Sequence, residues 1–218
     1  MPARTLDRLA PIARLARLAL AGWIALTAPI GASAFALDET LDGDLSGDRL
    51  APTRLVLAPG ANDLAMTSGS PSGSVDRDYF TFFVPAGWVL DSIFLLSAQV
   101  DGAVSFIGLQ SGPVFSEPPV GANVGNLLGW HHFGGSEAGT EILDDIATGA
   151  GSQGFIPPLP TGHYTFWAQD FGFQAAYAMR FQVSPLPEPE LGAALASGLA
   201  GLGLLGRRRA RGDRAGGA

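Results

Sequence analysis

Glycine and proline divide the middle of this chain into short apolar runs, and this punctuation limits what the chain can fold into. The 218 residues include 30 glycines and 16 prolines, and residues 53–184 show no long helical periodicity. Short runs rich in aromatic and β-branched residues between such breakers are typical of strands joined by turns. The sequence therefore predicts an all-β domain, and about seven such runs favour a β-sandwich.

The individual runs differ in how strongly they predict strands. The run at 78–84 is the densest in aromatic residues and ends at a proline. Residues 177–183 alternate between apolar and polar side chains, which is the period of a half-buried strand. The other predicted strands are 53–57, 62–67, 88–97, 103–110 and 163–169. Only residues 140–147 have the spacing of a short helix with one apolar side.

The charge distribution and the lack of cysteine exclude several classes of function for this chain. Residues 37–186 contain 16 of the 20 acidic residues but only 4 of the 13 basic ones. A body this acidic repels phosphates, so we expect no nucleic-acid partner. The chain has no cysteine, which excludes disulfides, thiol catalysis and cysteine-ligated zinc. The domain must therefore depend on its hydrophobic core, and roughly 150 residues are enough to bury one.

The N-terminus has the three regions of a secretory signal peptide. Arginines between Arg4 and Arg17 form a basic region, and residues 18–28 form a short apolar one. Two overlapping A-x-A cleavage sites follow, ending at Ala34 and Ala36. We expect export through the Sec translocon and cleavage by signal peptidase after Ala36, where acidic sequence begins. An uncleaved anchor helix is the alternative to this signal helix at 1–36.

A second apolar segment lies near the C-terminus, at residues 191–206. As a helix it would span about 24 Å, near the lower limit for a bilayer core. Three arginines, Arg207, Arg208 and Arg209, follow it and would stay cytoplasmic by the positive-inside rule. A buried core helix would explain neither the terminal position nor these arginines. We therefore predict a transmembrane helix that leaves residues 37–186 outside the cell.

The tail at 185–218 resembles the PEP-CTERM sorting signal of Gram-negative bacteria. The matching parts are Pro187, Glu188 and Pro189, the apolar run, and the trailing arginines. The resemblance implies recognition by an exosortase, a membrane protease-transpeptidase that would cut near this motif and discard the helix. It also implies an inner-membrane intermediate that is released to the outer surface or the extracellular matrix, in association with exopolysaccharide.

Two segments of the body resemble bacterial pre-peptidase C-terminal domains. Residues 76–87 match the D-x-D-x-F-x-F-x-V-x-x-G hairpin of that family, and residues 159–167 match its closing L-x-x-G-x-Y-T strand. Residues 111–158 look like an insertion. The resemblance implies a jelly-roll-like β-sandwich, which we assign to residues 53–184, after an irregular acidic lead-in at 37–52.

Aspartates around the strongest strand are candidate metal ligands. Ca²⁺ takes about six to eight oxygen ligands, which acidic loops can supply. Asp76 and Asp78 lie at the start of that strand, and Asp42, Asp44 and Asp48 lie in the lead-in. These are also ordinary turn residues, and the lead-in lacks the terminal glutamate of an EF-hand, so solvated aspartates are the alternative. We take Asp76 and Asp78 as the candidate Ca²⁺ ligands.

Trp130 is the candidate sugar contact, because it lies in the glycine-flanked segment 129–135 and not in a clear strand. Its ligand would be a neutral or cationic glycan, since the body is acidic. Packing against Phe133 in the core is the alternative. We do not expect the adjacent His131 and His132 to bind a metal together, because consecutive strand residues point to opposite faces.

The sequence contains no catalytic motif. No serine lies in G-x-S-x-G, and the adjacent Asp144 and Asp145 point in different directions on the predicted helix. We therefore predict a protein that is not an enzyme and has a structural role at the surface or in the matrix. The alternatives are a Ca²⁺-stabilised adhesion or carbohydrate-binding module and a secreted hydrolase.

Overall fold

The computed structural model describes residues 36–69, 75–100, 104–172 and 174–186. The predicted signal helix and the tail from Pro187 onward lie outside these residues. Within the described part of the chain, no helix has both the length and the apolar character needed to cross a membrane.

The described residues form ten strands and two short α-helices. The strands are β1 (Ala36–Asp38), β2 (Thr53–Arg54), β3 (Gly60–Ser68), β4 (Arg77–Val84), β5 (Trp88–Val100), β6 (Ser105–Ser111), β7 (Gly129–Phe133), β8 (Thr140–Glu141), β9 (Gly162–Gln169) and β10 (Ala175–Pro185). The helices are α1 (Glu39–Asp42) and α2 (Leu143–Ala147), and 3-10 turns occupy Val124–Asn126 and Gly135–Glu137.

The strands form two mixed sheets of five strands each. The first sheet has the order β1-β3-β10-β5-β8, and the second has the order β2-β4-β9-β6-β7. The N-terminal strands β1 and β2 run parallel to β3 and β4, and all other neighbours are antiparallel. The expected all-β class is therefore confirmed.

The hydrophobic core contains side chains from both sheets. On β10, Tyr177, Met179, Phe181 and Val183 are buried, as the period of two predicts, whereas Arg180 is half-exposed. Rings from the second sheet complete this core. Alternation along a strand sends one set of side chains inward, so two facing sheets of this kind share one apolar interior.

Aromatic contacts join the two sheets at the centre of the core. Phe166 of β9 stacks on Phe80 and Phe82 of β4, with ring centroids 5.2 and 5.4 Å apart. It also meets the edge of Phe181 on β10 at 5.7 Å. All four rings are at most 2 % exposed. Phe166 thus packs against side chains of both sheets.

The acidic segment at 37–52, predicted as irregular, packs onto the sheets. Leu45 is 2 % exposed and belongs to the core. The backbone N–H of Tyr79 on β4 donates to the carbonyl of Ser46 at 2.9 Å. Besides Leu45, backbone and carboxylate hydrogen bonds hold the segment on the sheets, and composition does not reveal these bonds.

The apparent insertion at 111–158 also contributes strands. β7 pairs with β6, and β8 pairs with β5. The helix predicted at 140–147 begins later than expected, because its first two residues form β8. Its predicted apolar side chains, Ile142, Leu143 and Ile146, are fully buried.

Candidate cation and glycan sites

Three carboxylates from separate segments of the chain come together at one edge of the fold. Glu39 lies on α1, Asp44 on the loop that follows, and Asp78 on β4. One oxygen of each lies within 4.8 Å of the others. Glu39 and Asp78 are 6 % and 0 % exposed, whereas Asp44 is exposed. This acidic cluster therefore consists of two buried carboxylates and one at the surface.

Glu39 fixes the N-terminal segment against β3. One carboxylate oxygen accepts the backbone N–H of Leu45 at 2.8 Å, and the other accepts that of Thr67 at 2.6 Å. Burial raises the pKa of Glu39, although these two backbone hydrogen bonds oppose the shift. The side chain thus connects α1 to a strand 28 residues further along the chain.

Asp78 is the least satisfied member of the acidic cluster. Among the described residues, no donor reaches either of its carboxylate oxygens. Burial, then the nearby charges of Glu39, Asp76 and Asp44, raises the pKa of Asp78 to about 9. Without a cation the carboxyl is therefore protonated at neutral pH, and in that form its hydroxyl can donate to Glu39.

The predicted metal ligands separate into two groups. Asp78 belongs to the acidic cluster, and Asp76 lies beside it, where partial burial and the Asp44 carboxylate raise the pKa of Asp76. Asp42 and Asp48 instead accept backbone N–H groups within their own turns, as the alternative interpretation expects. The sequence did not predict Glu39 as a site residue. Glu39 belongs to no motif, and only folding brings it next to Asp44 and Asp78.

Trp130 lies on strand β7, so the expectation that it lies outside a clear strand is wrong, and its side chain is half-buried. Its indole N–H donates to the carbonyl of Ala150 at 3.0 Å, and its ring lies 6.3 Å from Phe106 and 5.1 Å from His132. It does not pack on Phe133 as the alternative proposed. Phe133 is fully buried in the main core, because neighbours at odd spacing on a strand face opposite sides.

Phe106, Trp130 and His132 form an aromatic surface on the outer side of the second sheet. Behind it, Trp167 meets the ring of Phe106 at 4.9 Å and belongs to a second, smaller apolar cluster. His132 is largely exposed to solvent. The part of its ring that is buried, and then the neighbouring His131, lower the pKa of His132. Sequence reasoning found Trp130 but not its partner Phe106 on β6.

No known protein family, curated protein or solved structure matches this chain. The predicted sorting residues Pro187, Glu188 and Pro189 and the arginines Arg207, Arg208 and Arg209 lie outside the described residues.

His131 points away from His132, as predicted for consecutive strand residues. Its Nε2 lies 2.7 Å from a carboxylate oxygen of Glu137, and Asp145 completes a group of three within 4.8 Å. The second oxygen of Glu137 accepts the backbone N–H of Gly134 at 3.0 Å. Since His131 and Glu137 already bind each other, this group shows the hydrogen bonding of an ordinary structural pair.

Proposed function

We propose that the chain is a non-catalytic exported protein of the cell surface or extracellular matrix, released from the membrane by an exosortase. One observation carries this proposal. β1 begins at Ala36, where we expect the signal peptide to end, and β10 ends at Pro185, just before the Pro187-Glu188-Pro189 motif. Cleavage after Ala36 would remove only the first residue of β1, and a cut near the motif would leave β10 intact, so processing would keep the described strands of both sheets nearly whole.

The order of the strands supports a jelly-roll-like fold. Apart from β1 and β2, eight strands remain, four in each sheet, in the orders β3-β10-β5-β8 and β4-β9-β6-β7. Eight strands that fold over one another in this order make the two Greek keys of a jelly roll. This architecture agrees with the resemblance to pre-peptidase C-terminal domains.

The burial of the acidic residues favours a binding or structural role over hydrolysis. A glycosidase needs two carboxylates that flank a substrate in an open cleft. Glu39 and Asp78 are buried and lie within 4.8 Å of each other, which leaves no room for a sugar between them. Asp144 and Asp145 are exposed and lie on one short helix. None of these four carboxylates therefore supports the alternative of a secreted hydrolase.

Replacing Pro187, Glu188 and Pro189 with alanine is expected to trap the protein in the membrane. The exosortase would no longer cut, so the apolar segment and its arginines would stay attached. Fractionation of producing cells, with immunoblotting of the membrane and extracellular fractions, measures the result. Alanines at Pro118 and Pro119, in the loop between β6 and β7, are the matched control and should leave release unchanged. Normal release of the motif variant would contradict the proposal.

Carbohydrate binding is a second candidate function, and the aromatic surface favours it. Aromatic rings stack on the apolar faces of sugars, and Phe106, Trp130 and His132 lie side by side on one strand pair. The acidic body would repel anionic polymers, so we propose a neutral or cationic exopolysaccharide as the ligand.

Trp130→Ala is expected to weaken binding to the producing organism's exopolysaccharide by about tenfold, or about 1.4 kcal/mol. The reason is the loss of the largest ring on the aromatic surface. A pull-down with the purified polysaccharide, together with a thermal melt of each variant, measures the effect. Phe94→Ala removes a partly exposed ring from the first sheet and should bind normally. Equal binding by wild type and Trp130→Ala would exclude this site.

A further inference from the structure

The acidic cluster joins the N-terminal segment to both sheets, and its charges are not balanced. We propose that Glu39, Asp44 and Asp78 bind one Ca²⁺ ion. The ion would link α1 and the loop after it to β4. This site does not depend on the sorting proposal, because it belongs to the folded body alone.

The first argument is electrostatic. Asp76 lies next to the cluster, so four carboxylates crowd one place. Among the described residues, the two ion pairs are Arg180 with Asp63 and His131 with Glu137, and neither involves these four groups. Like charges this close in a buried site repel strongly, so protons or a cation must neutralise them.

The second argument concerns buried polar atoms that have no partner. Both carboxylate oxygens of Asp78 lack a donor within the described part of the chain, and so does the hydroxyl of Tyr177, which is 2 % exposed. Burial and then the charge of Asp78 raise the pKa of Tyr177. Buried polar groups nearly always have partners. A cation held by Glu39, Asp44 and Asp78 would supply the partner that the Asp78 oxygens lack.

The type of ligand atom in the acidic cluster indicates which metal ion it would bind. The three proposed ligands all offer carboxylate oxygens, and the chain contains no cysteine. Such hard donors suit Ca²⁺ or Mg²⁺ better than zinc or copper. Mg²⁺ keeps several of its waters, whereas Ca²⁺ accepts many protein oxygens in a flexible arrangement. The exposed side at Asp44 leaves space for the waters that would complete the coordination.

The group at His131 shows by contrast why the acidic cluster is the better site. There, Nε2 of His131 and a Glu137 oxygen already bind each other, and the second Glu137 oxygen accepts a backbone N–H. In the acidic cluster, the backbone N–H groups of Leu45 and Thr67 hold Glu39 in place, whereas no residue in the described ranges donates a hydrogen bond to Asp78. The fold therefore holds Glu39 in place and leaves the oxygens of Asp78 without a donor, so that a cation could replace the proton shared with Glu39.

Thermal melts of the purified full-length chain in nonionic detergent test the proposal. At a free Ca²⁺ concentration of about 100 times the dissociation constant, the melting temperature should rise by about 5–10 °C over that in EDTA. Titration calorimetry should give one ion per chain. Asp78→Asn should abolish the shift, and Asp44→Asn, a surface change that the fold tolerates, should weaken affinity by about tenfold or more.

Asp91→Asn is the matched control, because Asp91 is an exposed aspartate on β5. This variant should respond to Ca²⁺ like the wild type. The proposal is overturned if Ca²⁺ leaves the wild-type melting temperature unchanged. It is equally overturned if both Asp78→Asn and Asp44→Asn show the full wild-type shift, because the ion would then bind elsewhere.

Discussion

Phe166→Ala is expected to lower the free energy of unfolding by about 3–5 kcal/mol. Phe166 is fully buried and touches Phe80 and Phe82 in its own sheet and Phe181 in the other. Alanine would leave a cavity where the two sheets meet, and the surrounding rings could fill it only in part. Urea denaturation followed by tryptophan fluorescence measures the change.

Phe83→Ala is the matched control for this prediction. Phe83 lies on β4 beside the core phenylalanines, but its side chain points outward and is 47 % exposed. Its main ring contact is His163, at 4.7 Å. We expect a loss of about 1 kcal/mol or less. If the two variants were destabilised equally, the assignment of Phe166 to the interior between the sheets would be wrong.

In the presence of a chelator, the fold is expected to lose stability as the pH rises from about 6 to about 8. The folded-state pKa of Asp78 is raised to about 9 by burial and by Glu39, Asp76 and Asp44. The unfolded value is about 3.9. Between these values the folded chain binds one more proton than the unfolded chain, so stability falls by about 1.4 kcal/mol per pH unit. Over two units the melting temperature should fall by about 6–11 °C.

Asp78→Asn isolates this effect, because asparagine has the same shape and does not titrate. The variant should lose most of the slope between these pH values, and the surface variant Asp91→Asn should keep it. Glu39 and Asp76 also have raised pKa values and remain in each variant, so the difference in slope measures Asp78 together with its coupling to these two groups. An equal slope in Asp78→Asn and the wild type would show that Asp78 is not the group that titrates.

Much of the fold could be predicted because its strongest strands carry local signals. The aromatic run of β4 and the alternation of β10 depend only on neighbouring residues, and both strands were predicted within a few residues of their ends. β1 has three residues and β8 has two, so neither is long enough to show the alternation of apolar and polar residues that identifies a strand. β7 contains two histidines and a glycine, so its composition resembled a loop.

The acidic cluster could be predicted only in part, because it is assembled by contacts between distant residues. Asp78 was a candidate since it lies in a recognisable strand motif. Glu39 has no motif, and its role depends on Thr67, which pairing with β10 and β1 brings into place. Likewise, Trp130 was a candidate from its glycine-flanked position, whereas its neighbour Phe106 became evident only from the pairing of β6 with β7.

The intact mass of the protein recovered from the surface or medium of producing cells tests the central claim most directly. Export followed by exosortase sorting predicts one mature form that lacks residues 1–36 and everything after about Pro189. That form would consist of the two sheets described above and little else. A surface-exposed form that still carries Arg207, Arg208 and Arg209 would contradict the account.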